Sequence, residues 1–153
     1  MANFMNAINK YRRAHWFYKH GFKFIAKLIE MEIYLIHNSF IPASCEIGEG
    51  TIFGYKGIAT VVHKRAKIGR NCIIGHCVTI GGRSGHYEVP VIGDNCEICA
   101  GAKVLGPIVV GNGVTIGANA VMLQDAPDNT VWAGVPARCI KRIAASEDME
   151  ISA

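Results

Sequence analysis

The sequence predicts a mainly β fold in which the chain winds as a parallel coil with three flat faces, and three observations predict it. Apolar residues recur at every sixth position: Ile68, Ile74, Ile80, Ile92, Ile98, Val104, Val110, Ile116 and Met122. A glycine usually follows, as at Gly69, Gly75, Gly81, Gly93, Gly111 and Gly117. A small or β-branched residue stands two places before, as at Ala66, Cys72, Val78, Cys96, Ala102, Ile108, Val114 and Ala120. Period six matches neither a helix nor an alternating strand. It matches a coil whose faces each advance by one hexapeptide, the apolar marker pointing inward. Successive coils then stack at the spacing of parallel strands, roughly 4.8 Å. The turns want Gly or Asn, and Asn71, Asn95, Asn112 and Asn119 fit that demand.

Residues 4–37 read as two helices. Ala7, Ile8, Tyr11, Ala14, His15 and Tyr18 recur at spacings of three and four, Gly21 breaks the pattern, and Phe22, Ile25, Leu28, Ile29, Ile33 and Ile36 resume it. The segment is basic and aromatic. It has the make-up of a cap for the first coil and also of a weak membrane-surface contact. Asn38 to Pro42 crosses into the coil, and Ile41, Ile47 and Phe53 set the first phase. Tyr55 to Val61 breaks it as a small bulge, and Val62 restarts it. Between Ile80 and Ile92 a marker is missing, and His86 stands where it is due. Gly82–Val89 is therefore an extruded loop, and a loop on a rigid scaffold is where chemistry sits. After Met122 comes a turn at 125–129, one last extended piece, a short helix expected over 138–144 and a polar, frayed tail at 146–153. The domains are a helical segment at 1–38, the coil at 39–137 and a helix with tail at 138–153.

With 153 residues and a net charge of +4, the chain suits one domain with a small appendage and does not argue for nucleic acid. No signal peptide or membrane-length apolar run is read. Cys45, Cys72 and Cys96 fall in the small inward slot, so buried free thiols and a reducing cytoplasm are expected rather than a disulfide framework. Cys96 and Cys99 make a lone C-x2-C with no second pair, and no metal is expected.

Val78-Thr79-Ile80-Gly81-Gly82, Ala100-Gly101-Ala102-Lys103-Val104-Leu105-Gly106 and the closing Ala133-Gly134-Val135-Pro136-Ala137-Arg138 resemble the left-handed β-helix acyltransferases. The closer resemblance is to the serine acetyltransferase branch and its shorter relatives that O-acetylate sugars in bacterial polysaccharide pathways. Phe53-Gly54-Tyr55-Lys56-Gly57-Ile58 and Val61-Val62-His63 carry it too. The resemblance covers residues from about 41 to 142 and implies a left-handed parallel β-helix working as a homotrimer, with acetyl-CoA in the cleft between neighbouring coils. It places cofactor contacts on Gly82, Ala100 and Ala118. Lys103, Arg138, Lys141 and Arg142 are candidates for the CoA phosphates. It also implies departures: the family's principal catalytic His falls on Tyr55, the preceding Asp on Gly54, a further Asp on Phe40 and a second His on Val89.

Acetyl transfer to a hydroxyl needs a base, and His has the suitable pKa. His86 in the loop is the leading candidate, His63 the second, and His76 reads as structural. Tyr55, Arg83, Tyr87 and Glu88 are candidates for holding the acceptor. The departures at Tyr55 and Val89, with the short helical segment, point to the hydroxyl of a sugar or polysaccharide precursor as acceptor. Serine is the alternative acceptor, and a catalytically weak trimeric scaffold is the non-enzymatic one. Zinc catalysis of the γ-class carbonic anhydrase kind needs two His five residues apart in one chain, and His63, His76 and His86 lack that spacing.

Overall fold

The computed structural model describes residues 6–143. Two helices, α1 (Ala7–Lys19) and α2 (Lys23–His37), precede a series of short strands. These are β1 (Glu46–Ile47), β2 (Ile52–Phe53), β3 (Val61–Val62), β4 (Lys67–Ile68), β5 (Ile73–Ile74), β6 (Thr79–Gly81) and β7 (Val91–Ile92). Then follow β8 (Glu97–Ile98), β9 (Lys103–Leu105), β10 (Val109–Val110), β11 (Thr115–Ile116), β12 (Val121–Met122), β13 (Thr130–Gly134) and β14 (Ala137–Arg142). Parallel pairing sorts them into three faces: β1-β4-β7-β10, then β2-β5-β8-β11-β13, then β3-β6-β9-β12. The fold is a left-handed parallel β-helix preceded by two helices.

The marker positions form its core. Ile74, Ile80, Ile98, Val104, Val110, Ile116 and Met122 are completely buried, and Cys72, Val78, Ala102, Val114 and Ala120 fill the slots between them. In the two-residue strands the first side chain lies outward and the second is buried, as on β5 and β8. Asn71, Asn95 and Asn119 turn with left-handed backbone, at φ 54°, 56° and 56°. One corner carries a side-chain ladder up the stack. The Arg70 N–H donates to Asp94 Oδ1, the Asp94 N–H to Asn112 Oδ1 and the Asn112 N–H to Asp128 Oδ1, at 2.7–2.8 Å.

The helices cap the first coil. Tyr11 is fully buried and its hydroxyl donates to the Cys45 carbonyl at 2.7 Å. The Arg12 guanidinium donates to the carbonyls of Ile47 and Gly48, the open end of the coil. Lys10 is buried against Glu32. The outer side of α2 leaves Phe24, Leu28, Met31 and Leu35 exposed. No described helix is long and apolar enough to cross a membrane.

His37 is buried, and its pKa is lowered, first by that burial and then by the Lys10 charge. The folded state therefore favours the neutral ring. Stability is full above the unfolded value near 6.5 and falls as pH drops through it towards the depressed folded value. His37→Asn should flatten this dependence between pH 7.5 and 5.5, read from thermal midpoints.

The bulge after β2 is a 3-10 turn, Gly54–Gly57, in which Tyr55 and Lys56 take φ 48° and 62°. Two consecutive L residues there are strained. Lys56→Gly should stabilise the protein by about 1 kcal/mol in urea unfolding.

The C-terminus corrects the sequence reading. No helix forms over the described part of 138–144. Instead β14 turns back antiparallel on β13, pairing Trp132 with Cys139 and Gly134 with Ala137. Gly134 at φ 97° makes the reversal. The hairpin gives the last parallel strand a partner and so covers what would be an open edge. Ala144 and the tail at 146–153 lie outside the described residues.

Candidate active site

The loop leaves the coil after β6 as the missing marker predicts. Lys67 on β4 pairs with Val91 on β7, so the ladder closes beneath residues 82–89 without using them. Gly82 to Glu88 are exposed. The loop lies back over the preceding coil: the Arg65 guanidinium sits 3.9 Å from the Tyr87 ring centroid and donates to the Tyr87 carbonyl. The His86 N–H donates to the Arg83 carbonyl at 3.1 Å, closing a turn through Gly85 at φ 84°. Arg83 lies against Gly106 of the coil above, its Cβ 3.5 Å from where a Cβ on that glycine would stand. His86 and Glu88 are exposed at the loop surface.

His63 follows β3 directly, below this loop. Its N–H donates to the Ile80 carbonyl at 2.8 Å. Its Nδ1 accepts from the Arg65 N–H at 3.2 Å, so the neutral ring carries its proton on Nε2. Burial, then the Arg65 and Lys64 charges, lower its pKa and favour that neutral ring. A ring so held donates a hydrogen bond from Nε2 and has no free nitrogen to take a proton. His63 lines an apolar cleft of about 210 Å³ with Phe40, Val61, Val62 and Ile80, and Lys64 stands at its edge. Lys64 also lines a neighbouring basic cleft of about 470 Å³ with Tyr18, Ser44, Arg65 and Lys67. The sequence reading missed Lys64 and Arg65; the basic run from His63 to Lys67 was the signal.

The other candidates stand on the opposite edge of the same face. Tyr55 is 76% exposed and packs edge-to-face on His76, ring centroids 4.8 Å apart. Ala100 and Ala118 continue that corner coil by coil: the Gly101 N–H donates to the His76 carbonyl and the Asn119 N–H to the Ala100 carbonyl, both at 2.9 Å. Lys103 is drawn into this corner, its ammonium on the carbonyls of Cys77 and Gly101 at 2.8 and 2.9 Å. Gly82 lies across the face with the loop. Arg138, its guanidinium on the Ala137 carbonyl, and Arg142 stand on β14. Within one chain, then, His63 and the loop occupy one edge of face β3-β6-β9-β12, and Tyr55, His76, Ala100 and Ala118 the other.

Burial raises the Cys45 thiol to about 12, and the Cys72 sulfur with burial holds the Cys96 thiol well above its ordinary value. These are inert core groups. All six cysteines are free thiols. Among the described residues, no three His, Cys, Asp or Glu gather as a metal site would need.

The coil has the architecture of the hexapeptide-repeat proteins, and residues 90–124 match the family described as bacterial transferase hexapeptide (six repeats). The chain is 36% identical over 141 residues to a serine acetyltransferase of Helicobacter pylori (strain J99 / ATCC 700824), covering 90% of this chain and 81% of that protein. It is 36% identical over 137 residues to the serine acetyltransferase of Escherichia coli (strain K12), covering 88% of this chain and 50% of that one. The solved serine acetyltransferase in complex with coenzyme A from Brucella abortus strain S19 superposes at TM-score 0.85 with 36% identity, over 90% of this chain and 56% of that one. The chain belongs to the serine acetyltransferase family, an acyl-CoA-dependent acetyltransferase family. It spans about half the length of several of the curated relatives it matches.

This corrects the expectation of a sugar or polysaccharide acceptor, since the matches are serine acetyltransferases. Part of that expectation came from the short helical segment. The Helicobacter relative is matched over 81% of its own length, so the serine branch includes proteins with little beyond the part matched here.

Proposed function

We propose that the protein transfers the acetyl group of acetyl-CoA to the hydroxyl of serine, working in the cytoplasm as a homotrimer with the coil at 39–137 as its catalytic unit. The observation that carries this reading is the 36% identity to a serine acetyltransferase over 90% of the chain. The local chemistry supports it. Ala100 and Ala118 give one corner a surface on which a slender thioester arm can lie. The opposite edge offers donors suited to an amino-acid carboxylate: the Nε2–H of His63 and the Lys64 ammonium. His86, on the loop over that edge, takes the proton from the hydroxyl as its oxygen attacks the thioester carbonyl. The O–C bond forms, the C–S bond breaks, and the leaving sulfur takes the proton from His86. O-acetylserine and CoA result. Tyr87, Glu88 and Arg83 shape the loop around the acceptor. The two edges lie apart in one chain, so a second copy packed side by side completes the site. Contact of residues 4–37 with a membrane surface belongs to this reading only as a weak accessory through the exposed apolar side of α2.

One observation favours a second reading, a non-catalytic scaffold: Tyr55 stands where the family's principal His falls. A single assay separates them. Incubation with acetyl-CoA and L-serine should release CoA thiol and yield O-acetylserine by mass spectrometry, with no product when glycine replaces serine. Absence of product with L-serine would refute the serine acceptor.

A further inference from the structure

The corner that carries Tyr55 has donors with no part in the proton transfer. The left-handed backbone of Tyr55 and Lys56 sets the Tyr55 ring outward and at the same time edge-to-face on His76. The Nδ1 of His76 is buried and has no hydrogen-bond partner. A buried N–H without an acceptor is rarer in native structures than a buried acceptor with an unused lone pair. The neutral ring therefore carries its proton on Nε2, the nitrogen that is not buried without a partner. Above His76 the same corner narrows to methyl groups, Ala100 and then Ala118. Beside it Gly75 admits no side chain, since a Cβ there would stand 2.6 Å from the Ala100 nitrogen. The two rings thus close the lower end of a smooth shelf. The Lys103 ammonium is fixed on the carbonyls of Cys77 and Gly101, each one residue from the His76 and Ala100 positions. The Tyr55 and His76 rings and the fixed Lys103 ammonium thus stand at the corner that the two alanines continue.

We propose that His76 is a catalytic residue: its Nε2–H, with the Tyr55 hydroxyl beside it, receives the carbonyl oxygen of the acyl thioester and holds the charge that develops there. The role rests on the acyl-transfer reading above. As the acceptor oxygen bonds to the carbonyl carbon, the carbonyl π pair moves onto the oxygen facing His76. When that pair returns, the C–S bond breaks and the sulfur leaves with its electrons and the proton removed from the acceptor. His76 donates a hydrogen bond throughout and gives up no proton. Preorganised donors of this kind act where charge appears in the transition state. The plain alternative is that His76 only supports the Tyr55 ring.

Two substitutions in the full-length chain separate these roles. His76→Phe keeps an aromatic ring against Tyr55 and removes the donor; His76→Gln restores an N–H donor. His76→Phe should lower kcat by about 10²–10³-fold, the loss seen on removing one oxyanion donor, with KM for acetyl-CoA and the thermal midpoint near wild type. His76→Gln should recover much of that rate. In ¹⁵N-histidine-labelled protein, the Nε2 signal missing from His76→Phe should move further with acetyl-CoA than with CoA, which lacks the acyl carbonyl. Wild-type kcat in His76→Phe overturns the proposal. So does a His76→Gln no faster than His76→Phe, or an Nε2 signal that answers equally to both ligands. If serine is not acetylated but the signal still distinguishes acetyl-CoA from CoA, the serine reading falls and the role of His76 stands.

Discussion

Replacing His86 with alanine should lower turnover of acetyl-CoA with serine by about 10²–10⁴-fold, the usual worth of a general base. Three features of the site set this expectation. His86 lies on a loop that leaves the coil where an inward marker is due, so its side chain has no packing duty. The loop is held over the β3–β4 turn by Arg65 on Tyr87, which keeps His86 near the edge that His63 lines. His63 is the poorer base, because its Nδ1 lone pair is engaged by the Arg65 N–H, which leaves the proton of the neutral ring on Nε2. CoA affinity, measured by calorimetry, should change little in His86→Ala, since the candidate cofactor residues lie mainly on the other corner. His63→Ala should act differently, raising KM for serine more than it lowers kcat, because it removes a donor to the acceptor. If His63→Ala abolishes turnover and His86→Ala preserves it, the two roles are reversed. Loss in neither would leave the base elsewhere, Tyr55 included.

The proposed sharing of the site between two copies gives a second consequence. His86 stands on one edge of the face and His76 on the other. Mixed trimers of His86→Ala and His76→Phe, made by co-expression, should regain part of the wild-type rate. Some of their interfaces join an intact loop to an intact donor corner. Mixtures no more active than either variant alone would place both residues in a site formed by a single chain.

The coil was legible because its signal is repetitive. Each marker is buried by the markers above and below it, so one residue type recurs wherever the geometry recurs, and nine positions in phase leave little room for another fold. The loop was legible for the converse reason, a marker absent where the period demands one. The final hairpin was not. Its residues, Ala137 to Arg142, carry no marker and lie exposed but for Ala137. Only the need of β13 for an edge partner makes them a strand, and that need belongs to the assembled coil. The contact between Tyr55 and His76 was hidden by the bulge at 54–60, which shifts the register by less than a hexapeptide. Only the pairing of Phe53 with Ile74 brings the two rings to one corner. The anchoring of Lys103 was hidden as well, because one of its two carbonyl partners, Cys77, lies on the coil below. The acceptor was least legible of all. The coil is common to many activities, so the sequence alone left serine as the alternative to a sugar hydroxyl, and the comparisons favour it.

Ile98→Ala should destabilise the fold by about 2–5 kcal/mol, the range for removing a large aliphatic side chain from a closed core. Ile98 is completely buried, and its strand pairs with Ile74 below and Ile116 above, both also completely buried. A triangular coil has a core only a few side chains wide. Neighbouring residues therefore cannot close over the lost volume without bringing the three faces together. Those faces are fixed by ladder hydrogen bonds such as Gly75 N–H to the Ile98 carbonyl at 2.7 Å. Collapse is resisted, a cavity remains, and the cost lies towards the upper end. The adjacent outward position is the control. Ile73 is 41% exposed on the same ladder, and Ile73→Ala should cost well under half as much. Urea unfolding followed by circular dichroism would measure both. Because a solenoid is stabilised through nearest-neighbour contacts between coils, Ile98→Ala should also broaden the transition, as the coils on either side of the defect begin to unfold separately. A sharp transition at the wild-type midpoint would mean that the marker column does not hold this coil together.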